Sequence, residues 1–292
     1  MIRHSLLLSV LAVSSAGVAA EPAATAGPQA MARELTVCAD PNNLPFSNKA
    51  EEGFENKIAS LIAHDMGATL TYVWWAQRRG YARSTLNEAK CDMWPGVAQG
   101  VARIATSRPY YHSTYVLVTR ENAPLQGLTL DDERLRSLKI GVQMIGNDAT
   151  NTPPAHSLSR RGIVDNVRGY MLYGNYETSN PPAAIVHAVA NGDVDVALVW
   201  GPLAGYFAAR SAVPLRLERV TPVLDDKTWP MTYGISVGVN RRSPELLTEI
   251  ERILDDEQAT VNTILSTYAV PITPIDEHRA RVAQGGRDQM LQ

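Results

Sequence analysis

Aromatic residues lie close to the predicted carboxyl ends of several strands, the edge at which open α/β proteins bind their ligands. They are Phe46, Trp74, Trp75, Trp94, Tyr110, Tyr111, Trp200 and Tyr206. Trp200 ends the stretch VDVALVW, just before a Gly-Pro turn, where a polar residue would recognise the charge of a ligand. Aromatic rings bury a large area with few rotatable bonds, so their grouping predicts an apolar pocket or a protein interface. Each ring taken singly is more simply explained as part of the core.

Catalytic motifs are scarce in the sequence. It contains no G-x-S-x-G nucleophile motif, no H-E-x-x-H, no phosphate-binding loop and no G-x-G-x-x-G after a predicted strand. The histidines are scattered, without neighbours at metal-ligand spacing. We expect His64 to face solvent, and His156 to lie in a solvated turn at a helix start, with the cleft as the alternative. The sequence therefore predicts a protein that is not an enzyme and holds no metal or cofactor.

The first twenty residues resemble a secretory signal. Arg3 and His4 precede the apolar run LLLSVLAV, and small residues stand before Glu21. The run is too short to span a bilayer, and no later run is apolar enough to do so. We therefore expect a signal peptide over 1–20, export to the periplasm and no membrane span. The formal net charge is −3 without a basic patch, which excludes nucleic acid as a natural partner.

Two cysteines occur in the sequence, Cys38 and Cys91. Export permits a disulfide between them, and closing such a loop would contribute on the order of 4 kcal/mol in the chain-entropy model. The two positions fall late in one predicted strand and at the start of another. If those strands are parallel neighbours, the α-carbons would be too far apart to bridge. The sequence leaves open whether the thiols are bonded or free.

Alternating strands and helices predict an α/β fold with parallel strands. The first series predicts strands over 35–39, 69–75 and 91–97 and helices over 54–66 and 81–89, with Pro95 ending or bending its strand. A β-rich segment over 111–120 suits a connection between lobes, and a second series then runs to Trp200. A last strand over 235–240 and an amphipathic helix over 244–268 follow. We expect a flexible lead over 21–33, one lobe from 34–119 plus 232–272, a second from 120–231, and a loose tail over 273–292.

Three segments resemble the family 3 periplasmic solute-binding proteins, the receptors of polar amino acid importers. They are LTVCADPNNLPFSNKAEEGFENKIASLI, ATSRPYYHSTYVLVTR and GDVDVALVW. Within that family the chain resembles the MxaJ/XoxJ proteins of quinoprotein methanol dehydrogenase systems, from Glu34 to about Pro271. The segments that carry this resemblance are CADPNNLPFSN, WWAQRRGYARSTL, LKIGVQMIGNDATNTPPAHSL, RRGIVDNVRGYMLYGNY, NPPAAIV and VDVALVWGPLAGYFA. It implies a type II periplasmic-binding-protein fold, with two α/β lobes, a central cleft and hinge crossings.

The chain departs from the amino acid receptors at the positions that hold their ligand. Those receptors bind the α-amino group with a carboxylate at the strand end where this chain has Trp200. They bind the α-carboxylate with a threonine, where Ala98 stands, and an arginine, near the position of Arg103. A buried ammonium without an anion costs several kcal/mol, whereas an indole returns only about 0.5–2 kcal/mol. We therefore expect the cleft not to bind a standard amino acid.

The candidate cleft residues come from the loops that follow the predicted strands. They are Asp40, Asn42, Asn43, Phe46, Trp94, Arg103, Asn147, Asp148, Thr150 and Trp200. The polar residues of the first loop are equally well explained as loop caps that bond to the backbone. The three polar residues from 147 to 150 have the alternative of helix capping alone.

The resemblance implies a non-catalytic accessory protein that helps a periplasmic PQQ-dependent methanol or alcohol dehydrogenase, using calcium or a lanthanide, to mature or become active. The c-type cytochrome of that system is a second candidate partner. One alternative is the solute-binding protein of an ABC importer for a small apolar or weakly polar ligand. Another is a periplasmic enzyme of the same fold, such as a prephenate-type dehydratase, although the sequence offers no strong acid–base pair for it.

Overall fold

The computed structural model describes residues 33–78, 80–145, 151–172 and 176–274. The predicted signal peptide, nearly all of the predicted lead and most of the predicted tail lie outside these ranges. The helices are α1 Phe54–Asp65, α2 Tyr81–Ser84, α3 Pro153–Arg160, α4 Ala184–Asn191, α5 Gly201–Ala208, α6 Pro244–Asp256 and α7 Gln258–Thr267. Short 3-10 helices cover Leu86–Glu88, Glu133–Arg136 and Pro181–Ala183. Within the described ranges no helix is both long enough and apolar enough to cross a membrane.

The strands form one large mixed sheet and two small hairpins. They are β1 Glu34–Ala39, β2 Asn42–Asn43, β3 Ser47–Asn48, β4 Thr69–Trp74, β5 Met93–Ala98, β6 Ala105–Thr106, β7 Tyr111–Arg120, β8 Ile140–Met144, β9 Val167–Met171, β10 Val196–Trp200, β11 Leu215–Arg219, β12 Leu224–Asp225, β13 Trp229–Pro230 and β14 Thr232–Val239. The order in the large sheet is β4-β1-β5-β14-β7-β10-β8-β9, with β6 beside β14 and β11 beside β7. Strands β1, β4 and β5 are parallel, as are β8, β9 and β10, as the alternating pattern predicts.

The apolar faces of these elements form hydrophobic clusters on either side of β7. Helix α1 buries Phe54, Ile58 and Ile62 at helical spacing, against strands β1, β5 and β14 and helices α6 and α7. The clusters around β8 and β10 bury α4 and α5 on one face of the sheet and the 3-10 helix at Leu135 on the other. Two sets of clusters fit the predicted lobes, whose boundaries stay a prediction.

Strand β7 connects the two halves of the sheet. Its first four residues pair antiparallel with β14, and the residues from Tyr115 onward pair with β10 and β11. The register sets Trp200, the last residue of β10, opposite Tyr115. A single continuous strand thus fixes the position of Trp200 relative to the elements around β14.

Pro95 bends its strand but does not end it. Strand β5 continues to Ala98, and its pairing with β14 shifts register between Ser236 and Gly238, opposite Pro95 and Gly96. Gly96 has a φ of +79°, the left-handed backbone that glycine adopts readily. The result is a β-bulge, a feature that re-aims side chains and often lies beside functional sites.

Two predicted helices differ from those observed. The segment 81–89 forms the short α2 and a 3-10 turn, joined at Thr85, whose ψ of −88° is not helical. The segment 244–268 divides into α6 and α7 at Glu257, whose φ of −99° and ψ of 17° interrupt the helical geometry.

The two cysteines are joined in the structure. Cys38 in β1 and Cys91 form a disulfide with a Cα–Cα separation of 5.6 Å. Cys91 lies two residues before β5 begins. The separation expected for two cysteines on neighbouring parallel strands therefore does not apply to this pair. The chain there is not constrained by the parallel ladder, so it approaches Cys38.

Candidate functional site

A cavity of about 380 Å³ opens at the carboxyl ends of β1, β4 and β10. Its aromatic wall consists of Phe46, Tyr81, Trp94, Tyr115, Tyr176, Trp200 and Tyr233. Its polar side chains are Asp40, Asn42, Asn43, Glu55, Gln77, Arg78 and Gln143. The volume is in the range of sites for small organic ligands, which are also mainly apolar with a few placed polar groups.

Most of the sequence-predicted site residues meet in this cavity. Those that line it are Asp40, Asn42, Asn43, Phe46, Trp94 and Trp200. Arg103 does not: it is an exposed turn residue with a φ of +74°, outside the cavity wall. A ligand- or partner-binding role for Arg103 therefore stays a prediction, at a position that does not line this cavity. Asn147, Asp148 and Thr150 lie outside the described residues.

The two histidines discussed above lie away from the cavity. The side chain of His64 is 87 % exposed, which confirms its predicted solvent position. His156 stacks on Trp229 with ring centroids 4.0 Å apart, and its Nε2 accepts the Asn151 backbone N–H at 3.2 Å. It therefore supports the start of α3 and does not line the cleft.

Asp40 both caps its loop and reaches across the cavity. Its Oδ1 accepts the backbone N–H of Asn42 at 2.9 Å, and its Oδ2 accepts that of Gln77 at 2.7 Å. The hydroxyl of Tyr176 donates a further hydrogen bond to Oδ2 at 2.6 Å. Three donors of the fold thus engage the buried carboxylate, and all three are neutral groups.

Both a backbone hydrogen bond and ring contacts hold Trp200 in the cavity wall. Its backbone N–H donates to Gln143 Oε1 at 2.7 Å. The indole meets Tyr115 and Tyr233 edge to face, with centroids 5.2 and 6.0 Å apart. Three aromatic rings thus form a continuous apolar surface at the end of β10.

Glu55 is a cavity residue that the sequence analysis missed. It is the second residue of α1, a position where an acidic side chain is usually solvated and favoured by the helix dipole. Here it is only 7 % exposed and lines the cavity. A Cβ at Gly96 would lie 1.8 Å from Glu55 Oε1, so the bulge glycine makes the room for this carboxyl. Burial, assisted by the charge of Asp40, raises the pKa of Glu55 well above its usual range.

The chain matches one protein family over most of its length. Residues 35–269 match the bacterial extracellular solute-binding proteins, family 3. The chain belongs to this family. It is 33% identical over 285 residues to protein MoxJ of Paracoccus denitrificans, covering 92% of this chain and 99% of that protein.

Two solved structures are similar to this chain over most of its length. The periplasmic binding protein XoxJ from Methylobacterium extorquens AM1 has a TM-score of 0.67 at 32% identity, over 82% of this chain and 99% of that one. MxaJ from Methlophaga aminisulfidivorans MPT has a TM-score of 0.69 at 25% identity, over 82% and 100%. The predicted fold and the predicted MxaJ/XoxJ type are confirmed.

The wall of this family 3 protein includes further side chains that the sequence did not single out. They are Gln77, Arg78, Tyr81, Gln143 and Tyr176. Arg78 lies with its guanidinium carbon 5.4 Å from the centre of the Tyr176 ring. These residues come from the segment after β4, from β8 and from the loop after β9, and no short motif marks them. Arg78, and not Arg103, supplies the cation among the described wall residues.

Proposed function

We propose that this protein is a non-catalytic periplasmic accessory protein that helps a PQQ-dependent methanol or alcohol dehydrogenase to mature or become active. The observation that carries the proposal is the match to MoxJ over 92% of the chain. The similarity to structures of XoxJ and MxaJ supports it. We further propose that the cleft is the contact site, with the two predicted lobes on either side of it.

The chemistry of the cavity supports a role other than amino acid capture. The strand end that would hold an α-amino group carries Trp200, and the carboxylate of Asp40 already accepts three hydrogen bonds. Burial raises the pKa of Glu55 well above its usual range, which disfavours the charged form of this carboxyl. An incoming ammonium would therefore find Asp40 as the carboxylate among the described wall residues, and that carboxylate is already engaged by three donors of the fold.

The test is to mix the purified protein with its cognate apo-dehydrogenase. We expect the two to co-elute from a sizing column and the accessory protein to increase the fraction of enzyme activated by PQQ and metal. A Trp200→Ala variant should weaken association about tenfold or more if the indole is an interface anchor. The matched control is Trp75→Ala, because Trp75 is 41 % exposed and lies outside the cavity. If the two proteins do not associate and activation does not change, the proposal is contradicted.

The cavity itself favours a second candidate, the solute-binding protein of an importer for a small apolar or weakly polar compound. Its volume and aromatic wall fit such a ligand. A ligand present at 100 times its Kd would stabilise the fold by about 2.7 kcal/mol. A thermal-shift screen that finds stabilisation at micromolar concentration would support this candidate, and a screen without any stabilisation would count against it.

A further inference from the structure

The floor of the cavity carries two polar groups that the fold leaves without partners. The Glu55 carboxyl accepts no hydrogen bond from any described residue of the chain, although its backbone N–H donates to Phe46. The Tyr81 hydroxyl is likewise buried without a partner among the described residues. Both side chains are more than nine-tenths buried and both line the same cavity. Buried polar groups normally have partners. Two groups without partners, on side chains that line one ligand-sized cavity, therefore indicate a place for a ligand's polar atom.

The charges of the wall determine what kind of polar atom fits there. Among the described wall residues the charged groups are the Asp40 carboxylate and the Arg78 guanidinium, of opposite sign. A third charge on Glu55 would be buried without a cation beside it, which is strongly unfavourable. Glu55 in its neutral form is both a donor and an acceptor, and Tyr81 has the same capacity. The cavity as a whole is therefore matched to a guest without net charge.

We propose that Glu55 and Tyr81 are ligand-binding residues that hydrogen-bond the hydroxyl or carboxamide group of a small, uncharged, flat guest. The aromatic rings of Phe46, Trp94 and Trp200 would enclose the body of that guest. This inference deepens the small-molecule candidate above. It stands independently of the dehydrogenase, because it concerns only what the isolated protein binds.

The test uses probes of the same shape and different charge on the purified full chain. Benzamide and benzyl alcohol are the neutral probes; benzamidinium, benzylammonium and benzoate are their charged counterparts. Thermal shift and calorimetry at neutral pH should show binding of the neutral probes and at least tenfold weaker binding of the charged ones. Absence of binding by both neutral probes, or tighter binding of a charged probe, overturns the proposal.

Variants assign the binding to the two residues. Glu55→Gln keeps a donor and an acceptor and should retain most of the benzamide affinity, whereas Glu55→Leu and Tyr81→Phe should each lower it about tenfold. Tyr72→Phe is the control, since Tyr72 is half-buried and outside the cavity. Circular dichroism and the melting temperature of each variant establish that it is folded. Wild-type affinity in folded Tyr81→Phe and folded Glu55→Leu overturns the assignment. The dehydrogenase assay plays no part here, so failure of one proposal leaves the other standing.

Discussion

Glu55 owes its unusual state to the groups around it. The phenols of Tyr81, Tyr110 and Tyr111 and the carboxylate of Asp40 are the titratable groups that interact with it electrostatically. None of these is a cation, and Arg78, the positive residue among the described wall residues, contacts Tyr176. Desolvation is the largest cause of the raised pKa of Glu55, and the Asp40 charge adds to it. A carboxyl group whose pKa is raised on folding binds its proton more tightly in the folded state than in the unfolded chain.

Replacing Glu55 by glutamine should change how stability depends on pH. In the wild type the folded state holds a proton that the unfolded chain releases above its ordinary pKa. The free energy of unfolding should therefore fall as pH rises toward the raised pKa, by at most about 1.4 kcal/mol per pH unit for one proton. The free energy of unfolding of the Glu55→Gln variant should not show this fall with pH. Relative to the wild type, the variant should therefore become more stable as pH rises. Urea unfolding measured from pH 5 to pH 9 tests this.

Glu245→Gln is the matched control for that measurement. Glu245 occupies the same second position of its helix, α6, but is exposed. Its replacement should leave the pH profile parallel to that of the wild type. A Glu55→Gln profile that is also parallel to the wild type would show that Glu55 is ionised in the folded protein.

At the level of elements, local periodicity was sufficient to predict most strands and helices, because apolar residues recur at the spacing of each element. The position of Trp200 followed from its place at the end of an apolar strand. The environment of Glu55 did not, since it depends on a bulge in β5, which is distant in sequence. The sequence suggested a bend at Pro95. It did not indicate that the carboxyl group of Glu55, from α1, would pack against the neighbouring Gly96. Arg103 lies in an exposed turn with a φ of +74°, a geometry that the sequence does not mark, and it is not among the residues that line the cavity.

The bulge predicts that alanine destabilises the fold to different extents at two glycines of similar backbone conformation. Gly96 has a φ of +79° and Gly100 a φ of +77°. An added methyl group meets nothing within 4 Å at Gly100, but meets Glu55 Oε1 at 1.8 Å at Gly96. Gly100→Ala should lower the free energy of unfolding by about 1–2 kcal/mol, the cost of left-handed backbone for a residue with a Cβ. Gly96→Ala should cost clearly more because it adds a steric clash with a buried side chain.

A double-mutant cycle separates the clash from the backbone strain. Combining Gly96→Ala with Glu55→Ala removes the clash, so the two changes should couple by about 0.5–3 kcal/mol. Chemical denaturation of the two single variants and the double variant measures the coupling. Equal costs for the two glycines together with simple additivity would refute the packing of Glu55 against the bulge.

On the scale of the whole molecule, hydrogen bonds between described residues cross the cavity. The hydroxyl of Tyr176 donates to Asp40 Oδ2 at 2.6 Å, and Asn42 Nδ2 donates to the Thr178 carbonyl at 2.8 Å. These bonds join the loop after β1, in the first predicted lobe, to residues 176–178, in the second. The continuous strands β7 and β14 lie behind the cavity and pair with each other. Such an arrangement would allow the two sides to separate about the strands when the hydrogen bonds across the cavity are broken.

Removing the Tyr176 hydroxyl should therefore favour an open form. The bond to the Asp40 carboxylate is of the charge-assisted kind, worth about 1.5–3 kcal/mol, and Tyr176→Phe deletes it while keeping the ring beneath Arg78. Small-angle scattering should give a larger radius of gyration for this variant than for the wild type. Tyr72→Phe serves as the control, since its hydroxyl lies outside the cavity and makes only a long, 3.5 Å contact with the Asn56 carbonyl. Identical scattering from wild type and Tyr176→Phe would mean that the bond from Tyr176 to Asp40 does not hold the cleft closed.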